Sequence, residues 1–458
     1  MKGARIAIAC LLVGACAPVI PPLAPGAAVD PPMEWRTAVG PTAPVQQGWW
    51  QLFGDPVLDS LVEQALVSNT DVAIAAARVH EARAQEALTR SQLFPTLDLG
   101  IGAVRQRAIG PLGAPTTSSA IQPVFQAAYE VDLFGRIGNQ VEAARQGYLA
   151  SQAARDAAAL SVAAATATGY ITLRALDARL VIAQTTLTDR AEALRLARNR
   201  ARIGYTSDLE LRQAEAEYEA TAQLVPQLRL AATRQENALS LLIGSNPGPI
   251  MRGRAIGDLQ RPPMPDALPS ELLRRRPDIV QAEFTVAASD ATLAAARAQF
   301  LPQIRLSGTA GAVVSSALGD PVAIWSLGGS VLEPILNARR NRGTFDTAAA
   351  RREQAAFGYR RTVLTAFREV EDSLAAVARH REQLAALEAQ RVALESALGH
   401  ARNRYQAGYT SYLEQLDAQR ALLSAELSVI QTEADELNAA VALFQATGGG
   451  WPAIRSQP

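Results

Sequence analysis

Gly408-Tyr409-Thr410-Ser411-Tyr412-Leu413-Glu414 closes one very long helical pattern and opens another within two or three residues. Gly408 supplies the left-handed residue that ends a helix without a Cβ clash. Ser411, followed three residues later by Glu414, has the spacing of a capping box, in which each side chain satisfies an orphan amide of the new helix. The stretch therefore predicts the tip of a helical hairpin. Gly204-Tyr205-Thr206-Ser207-Asp208-Leu209-Glu210 repeats the device. At an offset of 204, residues 197–214 and 401–418 share 11 of 18 identities, with Ala-Arg-Asn-Arg before each turn and Gly-Tyr-Thr-Ser within it. That density predicts an internal duplication, which also suits a chain of 458 residues, longer than one ordinary core.

The helices on either side of the tips are long. No proline occurs from Phe134 to Ile203, and Leu173, Leu176, Leu180, Ala183 and Leu187 recur at steps of three and four. At 1.5 Å per residue such a helix is roughly 100 Å long, more than a globular domain needs. Behind the first tip, Leu211, Ala214, Tyr218, Thr221, Val225, Leu228, Ala232, Gln235, Leu239 and Leu242 keep the spacing, with Pro226 predicted to kink the helix. In the second copy a helix from about Leu336 to Ala407 precedes the tip. The returning seam is Leu413, Leu416, Arg420, Leu423, Leu427, Ile430, Ala434, Leu437, Val441 and Phe444, and only Arg420 interrupts it.

Ahead of each long helix the period changes from 3.6 to two. Leu97, Leu99, Ile101 and Ala103 alternate with Asp98, Gly100, Gly102 and Val104; Ala127, Tyr129, Val131 and Leu133 alternate with Gln126, Ala128, Glu130 and Asp132. The second copy repeats this with Ile304, Leu306, Gly308, Ala310 and Ala312, then Trp325, Leu327, Gly329 and Val331. One apolar face and one small or polar face fit a strand between lipid and a wet lumen, and equally a half-buried hairpin. Four strands cannot close a barrel, and open edges are not tolerated in lipid, so a membrane reading requires several chains.

The predicted organisation is a signal peptide at 1–15, a lipidated N-terminus and extended tether at 16–48, a first repeat at 49–243, a proline-rich linker at 244–276, a second repeat at 277–447 and a tail at 448–458. Within the repeats, strands are expected near 96–133 and 303–333, with tips near 204–210 and 408–414. Lys2 and Arg5 precede the apolar run Ile6 to Ala15, too short to span a bilayer and suited to a signal peptide. In the folded part, Asp55 is expected to cap a short helix that Pro56 opens.

Basic and acidic residues both number 44, so the chain lacks the positive footprint of a nucleic-acid binder and no nucleic-acid partner is expected. The two cysteines, Cys10 and Cys16, leave the mature chain no internal disulfide. His80, His380 and His400 are isolated on helices, and the phosphate loop and the nucleophile elbow are both missing from the sequence. No enzyme, cofactor or metal is expected, so an energy source must lie in a partner.

Val13-Gly14-Ala15-Cys16 resembles the lipobox of bacterial lipoproteins, which implies cleavage before Cys16 and its acylation. The duplicated order, with Asp132-Leu133-Phe134-Gly135-Arg136, Arg276-Pro277-Asp278-Ile279, Gln299-Phe300-Leu301-Pro302 and the terminal Ala446-Thr447-Gly448-Gly449-Gly450-Trp451, resembles the TolC family, and within it the lipoprotein OprM and NodT type. The resemblance implies a homotrimer in which each chain gives four strands to a 12-stranded transmembrane β-barrel and four helices to an α-helical coiled-coil barrel in the periplasm. It further implies an outer-membrane channel of a tripartite efflux pump for small molecules, joined to a periplasmic adaptor and, through it, to an inner-membrane transporter. A protein-secretion duct and a non-conducting envelope-spanning lipoprotein are the alternatives.

Candidate functional residues cluster at the tips. Glu210 and Glu414 suit caps and dipole partners. Asp417 lies one turn further in, where the resemblance implies an acidic ring at the closable end. Arg402 and Arg404, with Arg198 and Arg200, precede the turns and are placed to bridge to these acids. Gly204, Tyr205, Thr206, Gly408, Tyr409 and Thr410 form the exposed tips that, by resemblance, meet the adaptor.

Overall fold

The computed structural model describes residues 17–37, 42–44, 47–109, 113–266 and 269–450. The signal peptide, Cys16 and Trp451 lie outside them. Nine helices and six strands are described: α1 (Pro56–Ser68), α2 (Thr70–Ser91), α3 (Arg136–Arg202), α4 (Asp208–Ala222), α5 (Leu224–Leu242), α6 (Pro269–Arg275), α7 (Pro277–Ala298), α8 (Ala338–Gln406) and α9 (Tyr412–Ala446). The strands are β1 (Thr42–Pro44), β2 (Thr96–Ile109), β3 (Pro115–Val131), β4 (Met264–Asp266), β5 (Gln303–Ser315) and β6 (Val322–Leu332). The chain threads three times through each of two compact units, one of residues 1–29, 77–152 and 281–361, the other of 30–76, 153–280 and 362–458.

The first unit holds a four-stranded sheet in the order β2-β3-β5-β6, antiparallel throughout. Directly paired residues share a face, so the register Leu99↔Phe125↔Ala310↔Trp325 and Leu97↔Ala127↔Gly308↔Leu327 gathers one apolar face. That face is bare: Trp325 is 79% and Leu327 83% exposed, and Leu97, Leu99, Ile101 and Phe125 are exposed with them. The opposite face carries Asp98, Gln126, Thr309 and Ser326 at paired positions. β3 joins the halves although Pro123 has no N–H, because Gly311 lets the two backbones close: a Cβ there would lie 2.2 Å from the Pro123 carbonyl oxygen.

Where β3 becomes α3, the Asp132 carboxylate accepts from the amides of Ile137 and Gly138 at 3.1 and 2.6 Å, satisfying donors that a helix start leaves free. Gly135 takes φ 71° and Arg136 pairs with Glu130 at 2.7 Å. The segment expected as a plain extended tether is laced to α8 instead. Ile20 packs with Phe300 and Phe345, the Arg352 guanidinium donates to the Pro21 carbonyl at 2.6 Å, and Arg360 donates to Ala28 at 3.0 Å. A short 3-10 turn, Pro25–Ala27, interrupts the extended course.

In the second unit Trp49 stacks on Phe444 at 5.4 Å and joins Trp50, Phe53, Leu58, Tyr170, Ile171 and Leu239 in the main core. Burying such side chains contributes about 1.5–3 kcal/mol each. Asp55 caps α1 at the Val57 amide, as expected, and also accepts from the Tyr170 hydroxyl at 2.7 Å and the Arg254 amide at 2.9 Å. Burial, with the Asp55 contact next, pushes the Tyr170 phenol far above its usual range. The Arg276-Pro277-Asp278 motif pins three segments: Arg276 pairs with Asp278 at 2.7 Å and Glu369 at 2.8 Å and donates to the Ala446 carbonyl at 3.1 Å. The irregularity expected at Pro226 is a one-residue interruption of the helix at Gln223, whose backbone stays right-handed (φ −68°, ψ −26°), because the proline ring crowds the Ala222 carbonyl and offers no donor.

Candidate functional site

Both tips close by the same hydrogen bonds. Tyr205 N donates to Arg200 O at 2.8 Å and Gly204 N to Ala201 O at 3.0 Å; Tyr409 N donates to Arg404 O at 2.9 Å and Gly408 N to Tyr405 O at 3.1 Å. These are Schellman closures, and Gly204 and Gly408 take φ of 71° and 78°. No atom lies within 4 Å of the position a Cβ would take on Gly408, so conformation alone demands glycine. Gly408→Val should cost roughly 1–2 kcal/mol locally and melt the tip while the rest stays folded. Hydrogen exchange at the Tyr409 amide checks this: protection equal to the parent protein's would contradict the turn.

The capping boxes form only in part. Ser207 accepts from the Glu210 amide at 3.3 Å, but the Glu210 carboxylate takes the Thr206 hydroxyl instead of reaching back. Ser411 makes no side-chain cap, which corrects the sequence expectation, and Glu414 turns to Arg404 at 3.3 Å. The Glu414 carboxylate is drawn across the turn to the opposite charge of Arg404, away from the Ser411 amide it would need to complete the box. The seam near this tip is also shifted: Tyr412 is buried, whereas Leu413 is 48% exposed.

Of the other expected contacts, Arg198 meets Glu215 at 3.5 Å, and Arg200 lies over the Tyr405 ring at 5.2 Å. Asp417 is exposed, with Arg420 Nη1 3.8 Å away. Arg402 is exposed and has no carboxylate partner among the described residues. Tyr205 and Tyr409 are strongly exposed at the two tips, as are Ile203 and Leu209 at the first. Tyr405 and Tyr412 tilt against one another at 5.5 Å, and Tyr412 packs with Leu194, Ala214 and Leu416, so the two hairpins meet through an apolar seam.

The feature that sequence reasoning missed lies beneath that seam. Arg190 on α3 donates to a Glu217 carboxylate oxygen at 2.5 Å and to the Glu217 carbonyl at 2.9 Å; Arg420 on α9 takes the other carboxylate oxygen, its Nε at 2.7 Å. The side chains of Arg190 and Glu217 are 5% and 8% exposed. Burial pulls the Arg190 guanidinium below its usual range, and Glu217 opposes that pull. One carboxylate thus holds three helices from two hairpins. The signal was present in the sequence as Arg420, the cation that interrupts an otherwise apolar seam. His80 and His400 are exposed, and the described residues contain no cluster of metal-ligand spacing.

An antiparallel sheet with one bare apolar face, in a chain with helices of 67 and 69 residues, is the combination expected of a membrane β-strand protein that also has a long helical part. A sequence model of the outer membrane efflux protein family matches residues 61–245 and 268–449, and the chain belongs to that family. It is 32% identical over 463 positions to the antibiotic efflux pump outer membrane protein ArpC of Pseudomonas putida, covering 97% of this chain and 95% of that protein. It is 33% identical over 410 positions to the cation efflux system protein CusC of Escherichia coli O6:H1, covering 88% of each. The open state of the MtrE outer membrane channel of Neisseria gonorrhoeae superposes with a TM-score of 0.83 at 32% identity, covering 94% of this chain and 98% of that one. The protein is an outer-membrane efflux component that extends into the periplasm.

Proposed function

We propose that three copies assemble into one duct of a tripartite pump and export small molecules without catalysis of their own. The sheet carries this reading. It has an apolar face, a polar face and two unpaired edges, β2 and β6, that run antiparallel to each other. Adding β2 of a second chain to β6 of the first continues the antiparallel pattern, and three chains give an even, closed 12 strands. A periplasmic adaptor is read as contacting Gly204, Tyr205, Thr206, Gly408, Tyr409 and Thr410, and as linking the duct to an inner-membrane transporter that supplies energy. Relatives named for antibiotic and for cation efflux share this architecture, so cargo choice is assigned to the other pump components.

Cys16 is read as the acylated N-terminus. Ile20, four residues on, is held against Phe300 and Phe345, beside the start of β5, which suits delivery of a lipid to the membrane boundary. Mass spectrometry of the mature chain should find an acylated Cys16; an unmodified chain starting later contradicts it.

The gate is read at Asp417, with Glu414, Glu210, Arg402 and Arg404 around it. The Arg404–Glu414 contact latches the second tip, and three copies of exposed Asp417 about one axis attract cations. Purified protein in a planar bilayer should give discrete conductance steps, and Asp417→Ala should lower cation preference. Conductance with unchanged selectivity would show that Asp417 does not face the pore; lack of conductance would remove the duct reading altogether.

A further inference from the structure

The first unit contains a concave groove of about 800 Å³ formed by α2, α3, α7 and α8. Its lining mixes small apolar residues with Gln92, Gln140, Gln299, Thr344, Arg340 and Arg351. No carboxylate lines it, and among the described residues neither arginine has a carboxylate partner. Of the nearby arginines, Arg342 pairs with Asp346 at 3.0 Å and Arg352 with Asp290 and the Pro21 carbonyl, whereas Arg339, like the groove pair, has no carboxylate partner among the described residues.

Folding alone gives no reason for the free pair. Arg340 is the third residue of α8, where the helix dipole disfavours a cation, and the first turn of α8 holds no acid to offset it. The tether borders the groove on the same helix, since Ile20 packs against a cluster that includes the groove residues Ala296 and Ala348. Phe345 and Arg352, which hold Ile20 and Pro21, lie roughly 130° around α8 from Arg340, Thr347 and Arg351. A tether leading to a lipid at Cys16 must lie outside the duct.

We propose that this groove is the inner wall of the duct next to the barrel, and that Arg340 and Arg351 make it a binding belt for multivalent anions, including phosphorylated or polycarboxylated small molecules. The proposal rests on the trimeric-duct reading and on acylation of Cys16. Arg340 and Arg351 are about 16 Å apart along α8, so three chains place two rings of three guanidinium groups on the wall. Bidentate hydrogen bonding suits guanidinium to phosphate and carboxylate oxygens. In a wide, wet lumen the attraction is screened, and it acts chiefly on ions of high charge at low salt.

Recording single trimers with inorganic tripolyphosphate added on the barrel side tests this. In 0.1 M KCl the parent protein should be blocked, and Arg340→Gln with Arg351→Gln together should raise the half-blocking concentration roughly tenfold. Arg340→Lys with Arg351→Lys should retain most of the block. Raising KCl to 1 M should relieve it, as the Debye length falls from about 10 to about 3 Å. Normal conductance with no block in the parent protein, or equal block in the parent and the double glutamine variant, overturns the belt. Absence of conductance in the parent protein overturns the duct reading, and the belt with it.

Discussion

Glu217→Ala should destabilise the hairpin region by about 3–5 kcal/mol, because it strips the carboxylate from a buried arginine and leaves that charge uncompensated. Arg190, 5% exposed, keeps only the Glu217 carbonyl as a partner, since its Nε has no acceptor even in the intact cluster. Arg420→Ala should cost far less: that side chain is 54% exposed, so its pairing is screened and Arg190 retains its carboxylate. The two variants separate stability from coupling. Denaturant unfolding should show a large loss only for Glu217→Ala, whereas resting conductance should rise in both, because both release α9 from the first hairpin. Equal, small losses in the two variants would mean that Arg190 finds water and that the cluster is not sealed.

Gly311→Val should abolish insertion into the membrane. Its Cβ would fall 2.2 Å from the Pro123 carbonyl oxygen and 2.8 Å from the Val124 Cα, both backbone atoms in the strand that joins the two halves of the sheet. Backbone cannot yield as a side chain does, so the overpacking cost should exceed about 3 kcal/mol and break the β3–β5 ladder. Gly329→Val serves as the contrast. Its Cβ meets the Leu306 Cδ2 at 3.3 Å, a methyl that rotates away, and the Arg305 carbonyl oxygen at an ordinary 3.9 Å. Heat-modifiable mobility on gels and protection from added protease in whole cells should be lost for Gly311→Val and kept for Gly329→Val. Assembly of the former would place β5 in another register.

The hairpin tips were legible because glycine, hydrophobic period and repetition point the same way at two places. The strands were legible because the period changes from 3.6 to two at Pro95 and Pro302. What escaped depended on residues distant in sequence. Ser411 matches a motif, yet the acid that should complete it lies instead beside Arg404. Arg190 and Glu217 look like solvated charges in isolation, and only the meeting of α3, α4 and α9 buries them. The tether reads as featureless because its contacts come from arginines more than 300 positions away. Gly311 is one glycine among several, and its closeness to Pro123 exists only once a register is set.

The open edges at β2 and β6 carry a consequence for heredity. If each barrel needs three sound chains, a cell that makes equal amounts of intact and edge-defective protein assembles roughly one in eight of its barrels entirely from intact copies. A lesion at either edge would thus act as a dominant allele, poisoning most assemblies. A deletion of one gene copy would merely halve their number. Recessive behaviour is expected of changes at the tips, where mixed barrels still form and a normal neighbour can still engage the proposed adaptor.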